Sequence, residues 1–182
     1  FECKSLSSVI IGNSVANLGV FSFSGCSSLT NITFGNSITS IGDSAFTNCS
    51  SLSKVIIPDS VTTIGDSAFS YCTTLTSIII PASVTSIDNH VFYSCKQVTI
   101  FGYEDSEAQK YAQQNRIPFK LFAGICEKCQ SPLILNKGFP ATCLDNGLTD
   151  GSNCSNCGDT PTIQKVIPAT GHKPVIDSAV EA

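Results

Sequence analysis

The sequence predicts a right-handed β-solenoid over its first 102 residues, followed by a small cysteine-rich module. Two observations predict the solenoid: residue types recur with a constant period of 23, and each period holds two short β-prone stretches separated by turn residues. One unit of this length cannot bury its own apolar side, whereas stacked units place each recurring residue against its copy in the next coil. We therefore expect coils of short strands joined by short helical turns.

The recurring residues fall into columns that are apolar and therefore belong inside the stack. The phenylalanine column consists of Phe23, Phe46, Phe69 and Phe92. The cysteine column consists of Cys3, Cys26, Cys49, Cys72 and Cys95. Copies stacked in register point the same way about 4.8 Å apart, whereas a disulfide needs Cβ atoms about 3.8 Å apart and tetrahedral zinc needs converging ligands. We predict that all five cysteines are small, buried, unreactive hydrophobic residues.

A glycine column is the sequence's candidate for left-handed backbone. It consists of Gly19, Gly42, Gly65 and Asp88. Glycine adopts positive φ without steric cost and aspartate tolerates it, so we expect a left-handed turn at this position of each coil.

The first strand of each coil presents the candidate binding face. Alternation sends Val9 and Ile11 inward and Ile10 outward. The outward column is Ile10, Thr33, Ile56 and Ile79, and it is flanked by Ser8, Asn31, Lys54 and Ser77. An exposed apolar stripe of this kind can mark a partner site; the alternative is that isoleucine simply suits a strand.

The repeats resemble the BspA-like leucine-rich repeat, a right-handed superhelix. The resemblance rests on "ITFGNSITSIGDSAFTNCSSL", "VIIPDSVTTIGDSAFSYCTTL" and "IIIPASVTSIDNHVFYSCKQV", and it covers residues 1–102. It implies a surface-exposed adhesin or a host-interaction protein, located extracellularly or on the cell surface, with a host surface or matrix protein as the ligand. The alternatives are an architectural stalk and a non-catalytic region of a large secreted enzyme.

Residues 103–122 are expected to close the solenoid, because the last coil would otherwise expose its apolar columns. Ser106 and Gln109 match the capping box that opens a helix. Ala108, Tyr111 and Ala112 would share the buried face of that helix. The segment "GYEDSEAQKYAQQNRIPFKLF" is also similar to the terminal cap of the BspA-like family.

Composition excludes several classes of function. The net charge of −4, with only 13% charged residues, supplies no basic surface for nucleic acid. No apolar run approaches the length of a membrane span, and no catalytic constellation appears, so we do not expect an enzyme. The chain has no methionine and starts in mid-repeat, so we expect a fragment whose signal sequence and anchor lie outside it.

Residues 123–182 form the cysteine-rich module, and their chemistry stays open between metal, disulfides and free thiols. Two Cys-x-x-Cys knuckles, Cys126–Cys129 and Cys154–Cys157, approximate a zinc-ribbon spacing. The tail also resembles a short cysteine-rich module of secreted proteins from anaerobic bacteria. That resemblance implies a different ligand set, which is Cys143, Cys154, Cys157 and His172. In either case the metal would be a structural zinc.

Overall fold

Fourteen short strands and one helix make up the described part of the chain. The computed structural model describes residues 2–142 and 146–168. Its two compact units are Phe1–Phe122 and Ala123–Ala182. The strands of the first unit are β1 Ser8–Ile10, β2 Asn17–Leu18, β3 Asn31–Thr33, β4 Ser40–Ile41, β5 Lys54–Ile56, β6 Thr63–Ile64, β7 Ser77–Ile79, β8 Ser86–Ile87 and β9 Thr99–Gly102. Helix α1 spans Glu107–Asn115, and β10, Phe119–Ile125, carries the chain into the second unit.

The first unit is a β-solenoid, as predicted, because its strands pair in parallel with their own copies one coil further on. On one side β2, β4, β6 and β8 form a four-stranded sheet in which Leu18, Ile41, Ile64 and Ile87 stand in register. On another side β1 pairs with β3, and β5 pairs with β7. The step from β7 to β9 is one residue shorter than the repeat, since Ile78 pairs with Ile100.

The third side of each coil consists of turns, and backbone hydrogen bonds join these turns between coils. Phe46 N–H donates to the Ala68 carbonyl at 2.8 Å, and Phe69 N–H donates to Val91 at 3.0 Å. Left-handed backbone is concentrated here, in two columns. One contains Phe21, Ser44, Ser67 and His90, and the other contains Asn48, Tyr71 and Ser94. These turns keep the phenylalanine column in line.

The expectation of left-handed backbone in the glycine column is wrong: no glycine of that column has positive φ. The glycines serve close approach between coils instead. A Cβ on Gly42 would lie 2.5 Å from the Leu18 carbonyl oxygen, and a Cβ on Gly65 would lie 2.8 Å from the backbone nitrogen of Asp43. The same atom on Gly19 would meet nothing nearer than 3.6 Å.

The core of the first unit is a single file of aromatic rings surrounded by aliphatic columns. Phe23, Phe46, Phe69 and Phe92 stack with ring centroids 5.3, 5.3 and 6.0 Å apart and with interplanar angles of 13° or less. Phe46 and Phe69 are fully buried. Parallel stacking of identical rings follows from the repeat, because each coil presents the same side chain at the same height.

The cysteine column is buried from Cys26 to Cys95, and the thiols of Cys49, Cys72 and Cys95 donate to backbone carbonyls of the preceding coil. Cys49 Sγ lies 3.3 Å from the Phe23 carbonyl, and Cys72 Sγ lies 3.2 Å from the Phe46 carbonyl. Burial raises the pKa of Cys49 to about 12 and that of Cys95 to about 11. Cys3 is exposed, contrary to prediction, because it belongs to the outermost coil of the described stack.

The cap helix begins as predicted. Ser106 is its N-cap, and its side chain accepts from the Gln109 N–H at 3.3 Å. Arg116, at φ 56°, closes the helix in the left-handed conformation. The buried residues of the helix are Ala108, Tyr111 and Ala112. After the helix, β10 pairs in parallel with β9, with Lys120 opposite Phe101.

The second unit is built from two small antiparallel pairs. Its strands are β11 Pro132–Asn136, β12 Gly147–Leu148, β13 Gly151–Cys154 and β14 Val166–Ile167. Leu133 of β11 stands opposite Cys154 of β13, and Gly147 of β12 stands opposite Ile167 of β14. Its hydrophobic cluster has only three buried members among the described residues, which are Cys126, Leu133 and Cys154.

Candidate binding face and candidate metal centre

The outward column of the first strand face is exposed over three coils and buried in the fourth. Ile10 is 80% exposed and Ile56 is 55% exposed, and Thr33 between them is also exposed. Ile79 is only 5% exposed, so its expected exposure is wrong. It stands between Ile56 and Phe101 in the sheet register, and these large side chains flank it at the spacing of neighbouring strands.

The residues that flank this column also become less exposed toward the last coil. Asn31 and Lys54 are exposed, whereas Ser77 is half-buried. We call the exposed set Ile10, Asn31, Thr33, Lys54 and Ile56 the strand-face patch. Two large aliphatic side chains on a flat strand surface, next to an amide and a cation, offer apolar contact with polar groups beside it.

The four knuckle cysteines converge on one point in the second unit. Their sulfur atoms all lie within 4.8 Å of one another. Cys129 Sγ is 3.4 Å from Cys154 Sγ and 3.6 Å from Cys157 Sγ, and Cys126 Sγ is 3.8 Å from Cys157 Sγ. A tetrahedral ion with metal–sulfur bonds of about 2.3 Å requires sulfur–sulfur separations of about 3.8 Å. The donor set therefore fits a tetrahedral thiolate site.

Short turns place these thiols, as the two-residue spacing requires. The amide groups of Asn156 and Cys157 both donate to Cys154 Sγ at 3.4 Å. Between the knuckles, Lys128 Nζ contacts Asp159 Oδ1 at 2.6 Å. The backbone of the first knuckle is closed by the Gln130 N–H donating to the Cys126 carbonyl at 2.9 Å.

The hydrogen bonds around these thiols favour thiolates at two positions and oppose one at a third. A hydrogen bond from the Ser131 side chain lowers the pKa of Cys129 to about 6. The backbone amides of Cys157 and Asn156 lower the pKa of Cys154. A backbone hydrogen bond from Asp159 lowers the pKa of Cys157, but the neighbouring sulfurs and burial outweigh it and raise that pKa to about 12. Four clustered sulfurs cannot all ionise without a cation among them.

The structure describes only two of the four residues in the alternative ligand set. Cys154 and Cys157 belong to both sets, but Cys143 and His172 lie outside the described residues. The described thiols are all free, and the 3.4 Å between Cys129 Sγ and Cys154 Sγ is well beyond the length of a disulfide bond.

Parallel strands that repeat with a 23-residue register, and a phenylalanine file inside them, define a leucine-rich repeat solenoid. The BspA type leucine-rich repeat profile matches residues 1–117 as six copies. The chain therefore belongs to the BspA type leucine-rich repeat family. The match extends beyond the last full repeat into the cap helix.

Solved structures of leucine-rich repeat proteins share this fold. A leucine rich cell surface protein of Faecalibacterium prausnitzii is 37% identical, with a TM-score of 0.54, over 59% of this chain and 28% of that one. The T. pallidum leucine-rich repeat protein is 31% identical, with a TM-score of 0.54, over 56% of this chain and 48% of that one. A leucine-rich repeat protein of Bacteroides ovatus is 29% identical, with a TM-score of 0.56, over 66% and 31% of the two chains. The chain thus spans less than half of each of these proteins.

No match was found among curated protein sequences. Within the described residues, no helix is long and apolar enough to cross a membrane.

Proposed function

We propose that this chain is a non-catalytic binding scaffold of a cell-surface or secreted protein, and that it contacts a protein ligand through the strand-face patch. The observation that carries the proposal is the pair Ile10 and Ile56, which are 80% and 55% exposed on regular strands. Two such side chains on regular strands can bury apolar area against a partner with no change in the solenoid. The family membership and the similarity to a leucine rich cell surface protein of F. prausnitzii support the same class of function.

The finer proposal is adhesion to a host surface or matrix protein. Asn31 and Lys54 beside the isoleucines supply hydrogen-bond donors, which suits the polar rim of a protein interface. The alternative is a stalk that spaces another domain from the cell and binds nothing itself.

Paired substitutions on the strand face test the proposal. Ile10→Asp and Ile56→Asp should each weaken capture of a ligand from a panel of purified host matrix proteins by about tenfold or more, because they put a charge into the apolar contact. Val20→Asp is the matched control, since Val20 is 59% exposed but lies outside the patch. The proposed surface would be contradicted if all three variants lost binding, or if none of them did. If no protein of the panel bound the unmodified chain specifically, the stalk would be favoured.

We further propose that Cys126, Cys129, Cys154 and Cys157 hold one structural Zn²⁺. The convergence of their sulfurs supports this, as does the very small hydrophobic cluster around them. Bound zinc would hold the two knuckles together and leave no open coordination position for catalysis. Elemental analysis should find one zinc per chain; a chain without zinc whose thiols react only after reduction would support disulfides instead.

A further inference from the structure

The last coil of the solenoid departs from the repeat at three neighbouring surface positions. His90 follows Phe21, Ser44 and Ser67 in its column; Tyr93 follows Ser24, Thr47 and Ser70; and Lys96 follows Ser27, Ser50 and Thr73. Except for Phe21, the earlier coils carry small polar residues at these positions, so stacking alone does not require the larger side chains. All three line a cleft of about 350 Å³ between this coil and the cap segment, which also contributes Asn115 and Arg116.

Backbone donors that are paired in the earlier coils are left unpaired at this cleft. Ser44 and Ser67 N–H groups donate to the next coil at 2.8 and 3.0 Å, and Asn48 and Tyr71 N–H groups do so at 2.8 Å. His90 and Ser94 occupy the same two columns in the last coil, and their N–H groups have no hydrogen-bond partner among the described residues.

The cap helix covers only part of the exposed backbone edge of the last coil. The buried side chain of Tyr111 lies beside the backbone of Phe92 and Val91. No described residue of the cap accepts a hydrogen bond from the N–H groups of His90 and Ser94, which lie on either side of Phe92. Both residues have left-handed backbone, with φ of 54° and 63°, a conformation found in backbone concavities that bind anions.

Two cations border the same cleft. Lys96 and Arg116 are exposed, and neither forms an ion pair with any residue that the structure describes. The carbonyls at the end of the cap helix do not offset this positive charge fully, because several are engaged: the Asn115 amide donates to the Tyr111 carbonyl, and Ile117 N–H donates to Ala112, both at 2.9 Å. Unpaired amides and unpaired cations together favour an anionic ligand.

The ring of Tyr93 determines which kind of anion fits. It is 54% exposed at the edge of the cleft and is held in an edge-to-face contact with Tyr71, at 5.4 Å between centroids. An exposed tyrosine offers a flat apolar face with a polar tip, which suits the C–H face of a sugar ring. The volume of the cleft is at the lower end of ligand pockets, so one or two sugar residues would fill it.

We propose that this cleft binds a carboxylate-bearing sugar of the uronic acid class, such as the end of an acidic glycan. Oxygen atoms of the sugar would accept from the N–H groups of His90 and Ser94, its carboxylate would pair with Lys96 and Arg116, and its ring would pack against Tyr93. This site is separate from the strand-face patch and does not depend on the protein-binding function proposed above.

Amide chemical shifts of the full ¹⁵N-labelled chain test the proposal, with methyl β-D-glucuronide as the probe. Saturable shifts of the His90 and Ser94 amides are expected, with much weaker shifts from the neutral methyl β-D-glucoside and from acetate. Lys96→Ala and Arg116→Gln should each weaken glucuronide binding by about tenfold, as expected for a charge-assisted hydrogen bond. Lys110→Ala is the control, because Lys110 pairs with Glu107 on the cap helix and does not line the cleft.

The proposal would be overturned by the absence of saturable shifts at His90 and Ser94, by binding of the neutral glucoside as strong as that of the glucuronide, or by unchanged affinity in both cleft variants. Acetate that binds as tightly as the glucuronide would equally refute a sugar site, since the ring would then contribute nothing. Ile56→Asp should leave glucuronide binding unchanged, so failure here and failure of the strand-face proposal give different results.

Discussion

The two units of this chain reach a stable structure by opposite routes. The solenoid buries a column of apolar residues in every coil, so its core grows with each repeat. Among its described residues, the second unit buries three in its cluster, two of which are cysteines. A core that small rarely supplies enough stability alone, and natural domains of this kind add a metal or disulfides. Cysteine therefore has two roles here: a small apolar filler in the first unit and a ligand candidate in the second.

Metal removal should give the largest difference between the units. A strong zinc chelator should unfold the second unit, because binding energies of structural zinc are on the order of 10 kcal/mol and serve as folding energy. Amide hydrogen exchange should then become fast at Leu133, Ile134 and Asn153 of the β11–β13 pair. The solenoid is the internal control: all four tyrosines, Tyr71, Tyr93, Tyr103 and Tyr111, lie in the first unit, so tyrosine fluorescence should keep its unfolding midpoint.

Thiol labelling makes the same comparison chemically. Before chelation, only Cys3 of the column should react rapidly, because Cys26, Cys49, Cys72 and Cys95 are buried. After chelation, the four knuckle thiols should join it. Unchanged exchange in β11 and β13, together with unchanged labelling, would show that the second unit does not need metal.

A cavity in the aromatic file should have the next largest effect, and it should act on the first unit alone. Phe69 is fully buried between two other rings, so Phe69→Ala should lower the free energy of unfolding by about 3–5 kcal/mol. Phe23→Ala should cost less, because Phe23 is half-buried and stacks on only one ring of the column. Urea unfolding followed by tyrosine fluorescence measures both. Equal losses would mean that the file does not stabilise the stack cooperatively.

The period made most of the solenoid predictable, whereas features set by one coil's surroundings were not. Columns such as Phe46 and Phe69 follow from repetition alone, because each residue meets its own copy. Exposure of Ile79 was mispredicted because it depends on Phe101, which enters the column only after a one-residue shortening of the repeat. Convergence of the knuckles could be anticipated from Cys-x-x-Cys spacing, but the unpaired amides at His90 and Ser94 depend on how the cap meets the last coil.

Because the coils pack closely, replacement by alanine should destabilise the fold at one position of the glycine column and be tolerated at another. Gly65→Ala should destabilise the first unit by about 1–3 kcal/mol, since its Cβ would press on the Asp43 backbone at 2.8 Å. That backbone is fixed, because the Asp43 side chain accepts from the Asp66 N–H at 3.0 Å. Gly19→Ala has space at 3.6 Å and negative φ, so it should be neutral or slightly stabilising. Thermal unfolding would distinguish the two, and equal effects would contradict the close-approach explanation of this column.

The smallest effect should come from the helix that closes the stack. Ser106→Ala removes the side chain that accepts from Gln109 N–H, and N-caps of this kind contribute about 1 kcal/mol. Ser106→Asp should restore most of the loss, because aspartate caps equally well and favours the helix N-terminus. Because the cap covers Phe92 through Tyr111, with ring centroids 6.0 Å apart, fraying should first increase exchange at the last coil. If exchange instead rises evenly through all coils, the cap and the stack unfold as one cooperative unit, and the solenoid is less modular than its repeats indicate.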